Sequence, residues 1–361
     1  MRIFLVSNLY PSRRFPNFGT FVAGFAHAME KQGAEIAYKS VIDKVYKSKV
    51  MHAFVYIVFC VKTILIGLFG KYDIVYVHYI AHTSVPVLFF SLIRKKKIVL
   101  NPHGDDILPR TYLVKLLQYV IRVLLKKVDL VVVPSQYFEG KFLERFCFSS
   151  DKIYVYPSGG INHMTFQHID VQRSELGIND DDIVLGFVSR IVYGKGWDLF
   201  IQVLNKLLKQ NSHIRGIIIG DGDEVTNLKS LLSSLNMKDK ILYIEGVKHS
   251  ELKRYYSAMD LFIFPSFLLE SLGLVGLEAM ACGTPVVASE IGGIKDFVID
   301  EFNGFMFKPK DISDLEYKIL LWLELPKDKK EKMRLNALKT ASDFDSNTVS
   351  VALYNKLTEL C

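Results

Sequence analysis

The chain has 361 residues, half of them hydrophobic and 23% charged, a globular composition with length for two domains of roughly 150 residues each, which excludes a disordered chain. Its four cysteines, Cys60, Cys147, Cys282 and Cys361, form no CxxC pair and have no metal-like spacing with histidine, so they read as reduced, mostly buried thiols of a cytoplasmic protein. The net charge of +7 is uneven, with 22 Lys+Arg against 10 Asp+Glu in residues 1–165 and 23 against 28 in the remainder.

A basic N-terminal half points to an anionic ligand or surface. Its cations lie beside large apolar residues in KVYKSKVMHAFVYIVF (44–59), SLIRKKKIVL (91–100) and IRVLLKKVDL (121–130). That pattern favours an anionic membrane surface over nucleic acid, the plain alternative being solvated helix faces.

MRIFLVSNLY carries only a short apolar run and meets Pro11 at once, so it reads as a strand (3–10) rather than a signal peptide. A helix over 20–32 ends at Gly33, and a strand follows over 35–42. The segment 44–70 is mainly helix. Its stretch from Met51 to Gly70 has the length of a membrane span, but Lys62 sits in the middle, and a charge at the bilayer centre costs about 2.5–3.5 kcal/mol. A crossover helix with one side buried fits better. Strands over 73–79, 97–104, 129–135 and 152–160 then alternate with helices over 84–94, 111–127 and 136–147. Continuous apolar strands in a βαβα series predict a parallel sheet covered on both faces.

The polar stretch 161–182 reads as a linker. The pattern restarts with strands over 183–190, 216–222, 241–247, 260–266 and 284–289, separated by helices over 196–210, 223–236, 249–258 and 272–282. A last helix, about 346–359, lies beyond the second series. The expected division is an N-terminal domain over 1–165, with residues 346–361 packing back on it, and a second domain over 170–345. No GxGxxG follows the first strand and no GxxxxGK[ST] occurs, which argues against a dinucleotide oxidoreductase or a P-loop NTPase.

FLLESLGLVGLEAMACGTPVVAS (267–289) places two glutamates, Glu270 and Glu278, in an apolar run. Glu270 precedes a helix opened by Ser271-Leu272-Gly273, at the carboxyl end of a strand, where open α/β sheets bind ligands. The N–H groups of residues 271–274 suit an anion. Glu278 lies about two turns in, among Leu277, Ala279 and Met280, where an ionised carboxylate needs a partner. A ribose diol is one such partner, and a salt bridge is another.

The run resembles the E-x7-E signature of the retaining glycosyltransferases of family 4, and the likeness extends along nearly the whole chain. VSRIVYGKGWDLFI (188–201), GDG (220–222), IEGVKHSELKRYYSAMDLFIFPS (244–266), Gly292-Gly293 and NGF (303–305) fall in family order. NLYPSRRFPNFGTFV (8–22) resembles the glycine-containing first loop and PHGDD (102–106) the histidine-bearing loop. One departure is SGGIN after Pro157, where the family often has P-N-G-V-D.

The resemblance implies a GT-B fold, two Rossmann-like doubly wound α/β domains facing each other across a cleft. It implies that Glu278 holds ribose hydroxyls, Glu270 the donor sugar's hydroxyls, and Arg190 and Lys195 the diphosphate. Gly19 would let the first loop approach the diphosphate. His103 would sit against the sugar. Val247 would line the base, and Ser271, Leu272, Gly273 and Leu274 would complete the donor site. No metal and no cofactor are expected, because two cations and a helix start can stabilise the leaving diphosphate.

The implied activity is transfer of a hexose from a nucleotide-diphosphate sugar to a lipid-linked or glycan acceptor in surface polysaccharide assembly. The expected location is cytoplasmic, peripheral on the membrane, with no nucleic-acid partner. A nucleotide-sugar epimerase, a phosphorylase and a non-catalytic sugar-nucleotide scaffold are the alternatives.

Overall fold

Ile74, Val75, Tyr76 and Val77 run consecutively and all are fully buried. A strand buried at odd and even positions alike needs a helical layer on each face, and this requirement organises both halves of the protein. The computed structural model describes residues 1–16, 18–44, 48–107 and 111–361. The chain divides into two compact units, Met1–Gly160 with Asn347–Cys361, and Ile161–Ser346.

The first unit contains β1 (Arg2–Ser7), α1 (Thr20–Lys31), β2 (Glu35–Val41), α2 (Lys49–Phe69), β3 (Ile74–His78), α3 (Ile80–Ile93), β4 (Lys97–Asn101), α4 (Gly104–Ile107), α5 (Tyr112–Leu125), β5 (Leu130–Val133), α6 (Gln136–Phe146) and β6 (Ile153–Val155). Its sheet is parallel, in the order β2-β1-β3-β4-β5-β6. One core joins Phe59 of α2, Phe90 of α3, Ile121 of α5 and Phe142 of α6. A separate core joins Val22, Phe25 and Met29 of α1 to Leu353 and Leu357 of the terminal helix. Residues 45–47 of the expected helix over 44–70 lie outside the described residues, and α2 itself opens on Ser48, whose side chain accepts from the Met51 N–H.

The expected helix over 84–94 instead begins at Ile80. Its start lacks a cap in the local sequence: Tyr79 is left-handed and its side chain does not cap the helix. The cap comes from Asp106, whose carboxylate accepts the N–H groups of Ile80 and Ala81, each at 2.9 Å. A distant carboxylate thus satisfies donors that the first turn of a helix leaves open.

The second unit contains β7 (Ile183–Val188), α7 (Trp197–Gln210), β8 (Ile214–Ile219), α8 (Val225–Ser234), β9 (Ile241–Ile244), α9 (Leu252–Ala258), β10 (Leu261–Phe264), α10 (Leu274–Ala281), β11 (Val286–Ser289), β12 (Gly304–Phe307), α11 (Ile312–Glu324) and α12 (Lys327–Ser342). The order β12-β11-β10-β7-β8-β9, all parallel, is that of a dinucleotide-binding sheet. The expected linker 161–182 belongs to this unit: Ile161, Phe166 and Ile178 are buried in its core. β12, α11 and α12 were not anticipated from the sequence. α12 is polar almost all round and buries only Met333, Ala337, Thr340 and Ala341.

The chain returns at α13 (Ser346–Thr358) to finish the first unit. All four cysteines are unpaired. Only Cys282 is buried; Cys60 is half-buried, and Cys147 and Cys361 are exposed, which corrects the expectation of mostly buried thiols.

Leu353 is fully buried against α1 and the sheet. Leu353→Ala should cost about 2–5 kcal/mol, read as a lower midpoint in urea unfolding. An unchanged midpoint would mean that α13 is not part of that core.

Candidate active site

In a parallel sheet every strand ends on the same edge. Where strand order reverses, the loops leaving two neighbouring strands turn apart and open a crevice. In the second unit that reversal falls between β7 and β10. Arg190 and Lys195 lie on the loop after β7, and Glu270 to Gly273 lie on the loop after β10. Val247 follows β9 and is half-buried against the core.

The two loops at the reversal are tied together. The Phe267 N–H donates to the Gly194 carbonyl at 2.8 Å, and the Gly293 N–H, from the loop after β11, donates to the Glu270 carbonyl at 2.9 Å. Within this frame Lys195 Nζ sits 2.6 Å from Glu270 Oε1, each side chain 14% exposed. The Ser266 hydroxyl donates to the same Oε1 at 2.6 Å. Glu270 Oε2 accepts no hydrogen bond from the described residues. Arg190 is exposed and has no ion-pair or hydrogen-bond partner among them.

The helix beside Glu270 starts at Leu274, later than the sequence suggested. Gly273 is its N-cap at φ +99°, and a Cβ there would lie 2.8 Å from the Phe264 ring. That backbone conformation and closeness together call for glycine. Ser271 and Leu274 are half-buried. Leu272 is 2% exposed, so it offers a ligand only its backbone. No acidic side chain occupies the first turn of α10, which leaves its N–H groups available to an anion.

Glu278 is 4% exposed, and its charge is met by two groups the sequence reading did not select. His249 Nε2 lies 2.9 Å from Oε1, and the Tyr256 hydroxyl donates to Oε2 at 3.1 Å. The hydrogen bond to Glu278 raises the His249 pKa, against burial. Burial, and then the Glu278 carboxylate, push the Tyr256 phenol well up, so it stays a donor. A carboxylate has about four acceptor positions, so these two contacts leave capacity for a diol. His249 and Tyr256 both lie in the quoted 244–266 stretch. No local signal marks them, because they reach Glu278 only through the fold.

Gly19 and His103 belong to the first unit. Gly19 is the N-cap of α1 at φ +73°, and a Cβ there would come within 2.7 Å of the Leu9 carbonyl carbon. Its own turn therefore requires glycine. His103 follows β4. Its backbone N–H donates to Asp106 Oδ2 at 2.8 Å, and its ring lies between Tyr79 and Phe21, with centroids at 4.3 and 4.6 Å. His103 Nε2 is 3.3 Å from His78 Nδ1. Burial pushes His103 down to about 3. Burial, then the neighbouring His103, pushes His78 well below its ordinary value. Both rings are neutral near pH 7. A ring so weakly basic positions a substrate hydroxyl better than it abstracts a proton.

With this geometry in place, the comparisons with known proteins agree. Residues 168–340 match the family model for glycosyl transferases group 1, and residues 20–159 match that for glycosyltransferase family 4. The chain belongs to glycosyltransferase family 4, and its fold is GT-B. It is 31% identical over 195 residues to an uncharacterized glycosyltransferase of Methanocaldococcus jannaschii, covering 52% of this chain and 49% of that one. It is 35% identical over 153 residues to a D-inositol 3-phosphate glycosyltransferase of Mycobacteroides abscessus (42% and 34% covered). It is 29% identical over 203 residues to an alpha-monoglucosyldiacylglycerol synthase of Streptococcus pneumoniae (53% and 44%). The matches thus span about a third to a half of these relatives' length.

Among solved structures, a sucrose-phosphate synthase from Thermosynechococcus elongatus superposes with a TM-score of 0.77 at 19% identity, over all of both chains. Anabaena HepE in complex with UDP gives 0.79 at 21% identity, over 99% of this chain and 100% of that one. At such identity these two speak for the fold.

Two titrations test the electrostatics. In Glu278→Gln the His249 ring should titrate lower than in the wild type, toward its ordinary value of about 6.5, as followed by NMR; an unmoved titration would remove Glu278 as the cause. His78 and His103 have folded values below the unfolded one, so the unfolded state takes up protons first as pH falls. The stability His103 contributes is complete above about pH 6.5 and is lost as pH falls toward about 3, at up to about 1.4 kcal/mol per pH unit, and His78 acts in the same direction. Melting temperature should therefore fall more steeply from about pH 7.5 to about 5 in the wild type than in His103→Gln. Parallel curves would argue against the burial account.

Proposed function

We propose that the protein transfers a hexose from a nucleotide-diphosphate sugar to a lipid-linked or glycan acceptor, with retention at the anomeric carbon, on the cytoplasmic side of a membrane in surface polysaccharide assembly. The observation that carries this reading is the cationic loop after β7, with Arg190 free of partners among the described residues and Lys195 held on Glu270 at the strand-order reversal. A departing nucleoside diphosphate gains negative charge as the anomeric C–O bond breaks. Fixed cations and the start of α10 oppose that charge without reorganising.

In this reading Lys195 is shared between Glu270 and the diphosphate once a donor arrives, and Arg190 takes the outer phosphate oxygens. Glu270 Oε2 accepts from a sugar hydroxyl, and Glu278 accepts from the ribose, beside His249. The acceptor oxygen attacks on the face the diphosphate leaves, and its proton passes to a departing phosphate oxygen. His103, being neutral, orients a hydroxyl. The Anabaena HepE structures with UDP and with UDP-glucose support a uridine nucleotide as the first donor to try.

At 100 times its Kd a donor nucleotide should add about 2.7 kcal/mol of stability, seen as a thermal shift that Glu278→Ala abolishes. With that donor and acceptor, Lys195→Ala should lower kcat roughly 100- to 1,000-fold. Turnover should survive EDTA, since the positive charge is supplied by side chains. Binding of no nucleotide, or full turnover in Lys195→Ala, would sink the assignment.

A further inference from the structure

The outer sides of α2, α3 and α5 are apolar where water-facing helices are normally polar. Phe54, Val58 and Leu65 of α2, Phe89 and Leu92 of α3 and Leu116 of α5 are between 49% and 65% exposed. Because α3 packs against both α2 and α5, their outer sides adjoin. So large an apolar surface marks an interaction site.

Charge says what it meets. None of the three helices contains Asp or Glu. Arg94-Lys95-Lys96-Lys97 leads from the end of α3 into β4, and Lys126-Lys127 follow α5. Lys95, Lys126 and Lys127 are exposed, and their side chains have no ion-pair or hydrogen-bond partner among the described residues. Arg94 to Lys97 and Lys127 line an open pocket of about 470 Å³ together with Asp73 and Asp129, and Asp129 pairs with Lys97 at 3.2 Å. Basic groups rimming an apolar face complement an anionic bilayer, where the apolar side chains enter the acyl boundary and the cations stay with the phosphates.

α2 has 21 residues and is long and apolar enough to cross a membrane. Its bonds keep it in the domain. Thr63 Oγ1 is 2.8 Å from Ser40 Oγ of β2, and Asn8 donates to the Tyr56 hydroxyl at 3.1 Å. One Arg94 nitrogen donates to the carbonyls of Gly67, Leu68 and Gly70 at 2.8–3.1 Å. Phe59, Thr63 and Gly67, spaced by four, are buried against the sheet and α3.

We propose that the α2–α3–α5 face docks on an anionic phospholipid bilayer, with α2 lying in the interface rather than spanning it, and with Lys95, Lys126 and Lys127 against headgroup phosphates. The proposal is independent of glycosyl transfer, and its readout does not involve turnover.

The test is flotation of the full chain with vesicles of phosphatidylcholine alone and with vesicles containing phosphatidylglycerol. The chain should float with the anionic vesicles and be released by salt. Combined Lys95→Gln, Lys126→Gln and Lys127→Gln should weaken that binding on the order of 100-fold. Phe54→Ser with Phe89→Ser should abolish it while leaving the circular dichroism and melting temperature unchanged. An alkaline carbonate wash should release the wild type.

Equal binding to neutral vesicles, or variants that bind like the wild type, would overturn the proposal. Retention through carbonate would overturn the in-plane placement. A dimer in sedimentation that the Phe54/Phe89 variant converts to monomer, with no flotation of the wild type, would assign the face to a second copy.

Discussion

Parallel strands deliver their loops to one edge, and the second unit depends on where that edge splits. Between β10 and β7 the neighbouring connections leave in opposite directions, so the backbone is open to a ligand there. The bonds from Phe267 to Gly194 and from Gly293 to Glu270 hold three loops in register across the opening. The position of Lys195 against Glu270 follows from that register. Side chains carried by rigid strand ends need little ordering when a ligand arrives, and this kind of preorganisation makes a fixed charge effective.

The Lys195–Glu270 pair also solves a problem of its own. A lysine withdrawn from water needs a counter-charge, and breaking a buried pair costs about 3–5 kcal/mol. With Glu270 supplying that charge at 2.6 Å, the Lys195 side chain is held at the rim. Glu278 is treated the same way one layer deeper, with His249 and Tyr256 in place of a lysine. Neither carboxylate has its acceptor capacity filled by these contacts. The fold can therefore keep two charges in an apolar run without a ligand and still leave positions for hydroxyl groups.

Much of this was legible because a strand buried on both faces is an unbroken apolar run, as in DLFIFPS, and because glycines mark the helix ends beside it. What escaped has physical causes. α3 begins at Ile80 because Asp106, far along the chain, caps it, and no local pattern records such a partner. α12 escaped because small residues, Ala337 and Ala341, provide much of its buried side, so its periodicity is faint. The stretch 161–182 looked like a linker because its two large anchors, Phe166 and Ile178, are isolated in polar sequence, yet each fills the core of the second unit. His249, Tyr256 and Ser266 were in view but had no evident role, since each meets its glutamate only across a loop or between helices.

The helix that closes the first unit comes from the far side of the second unit in sequence. Val22, Phe25 and Met29 share a core with Leu353 and Leu357, while the whole of Ile161–Ser346 comes between them in sequence. During vectorial synthesis the second unit therefore has all its residues before the first does, and part of one face of the first sheet stays uncovered until α13 emerges. Until then Val22, Phe25 and Met29 leave an apolar strip bare on the first unit, the kind of transiently exposed surface that chaperones bind.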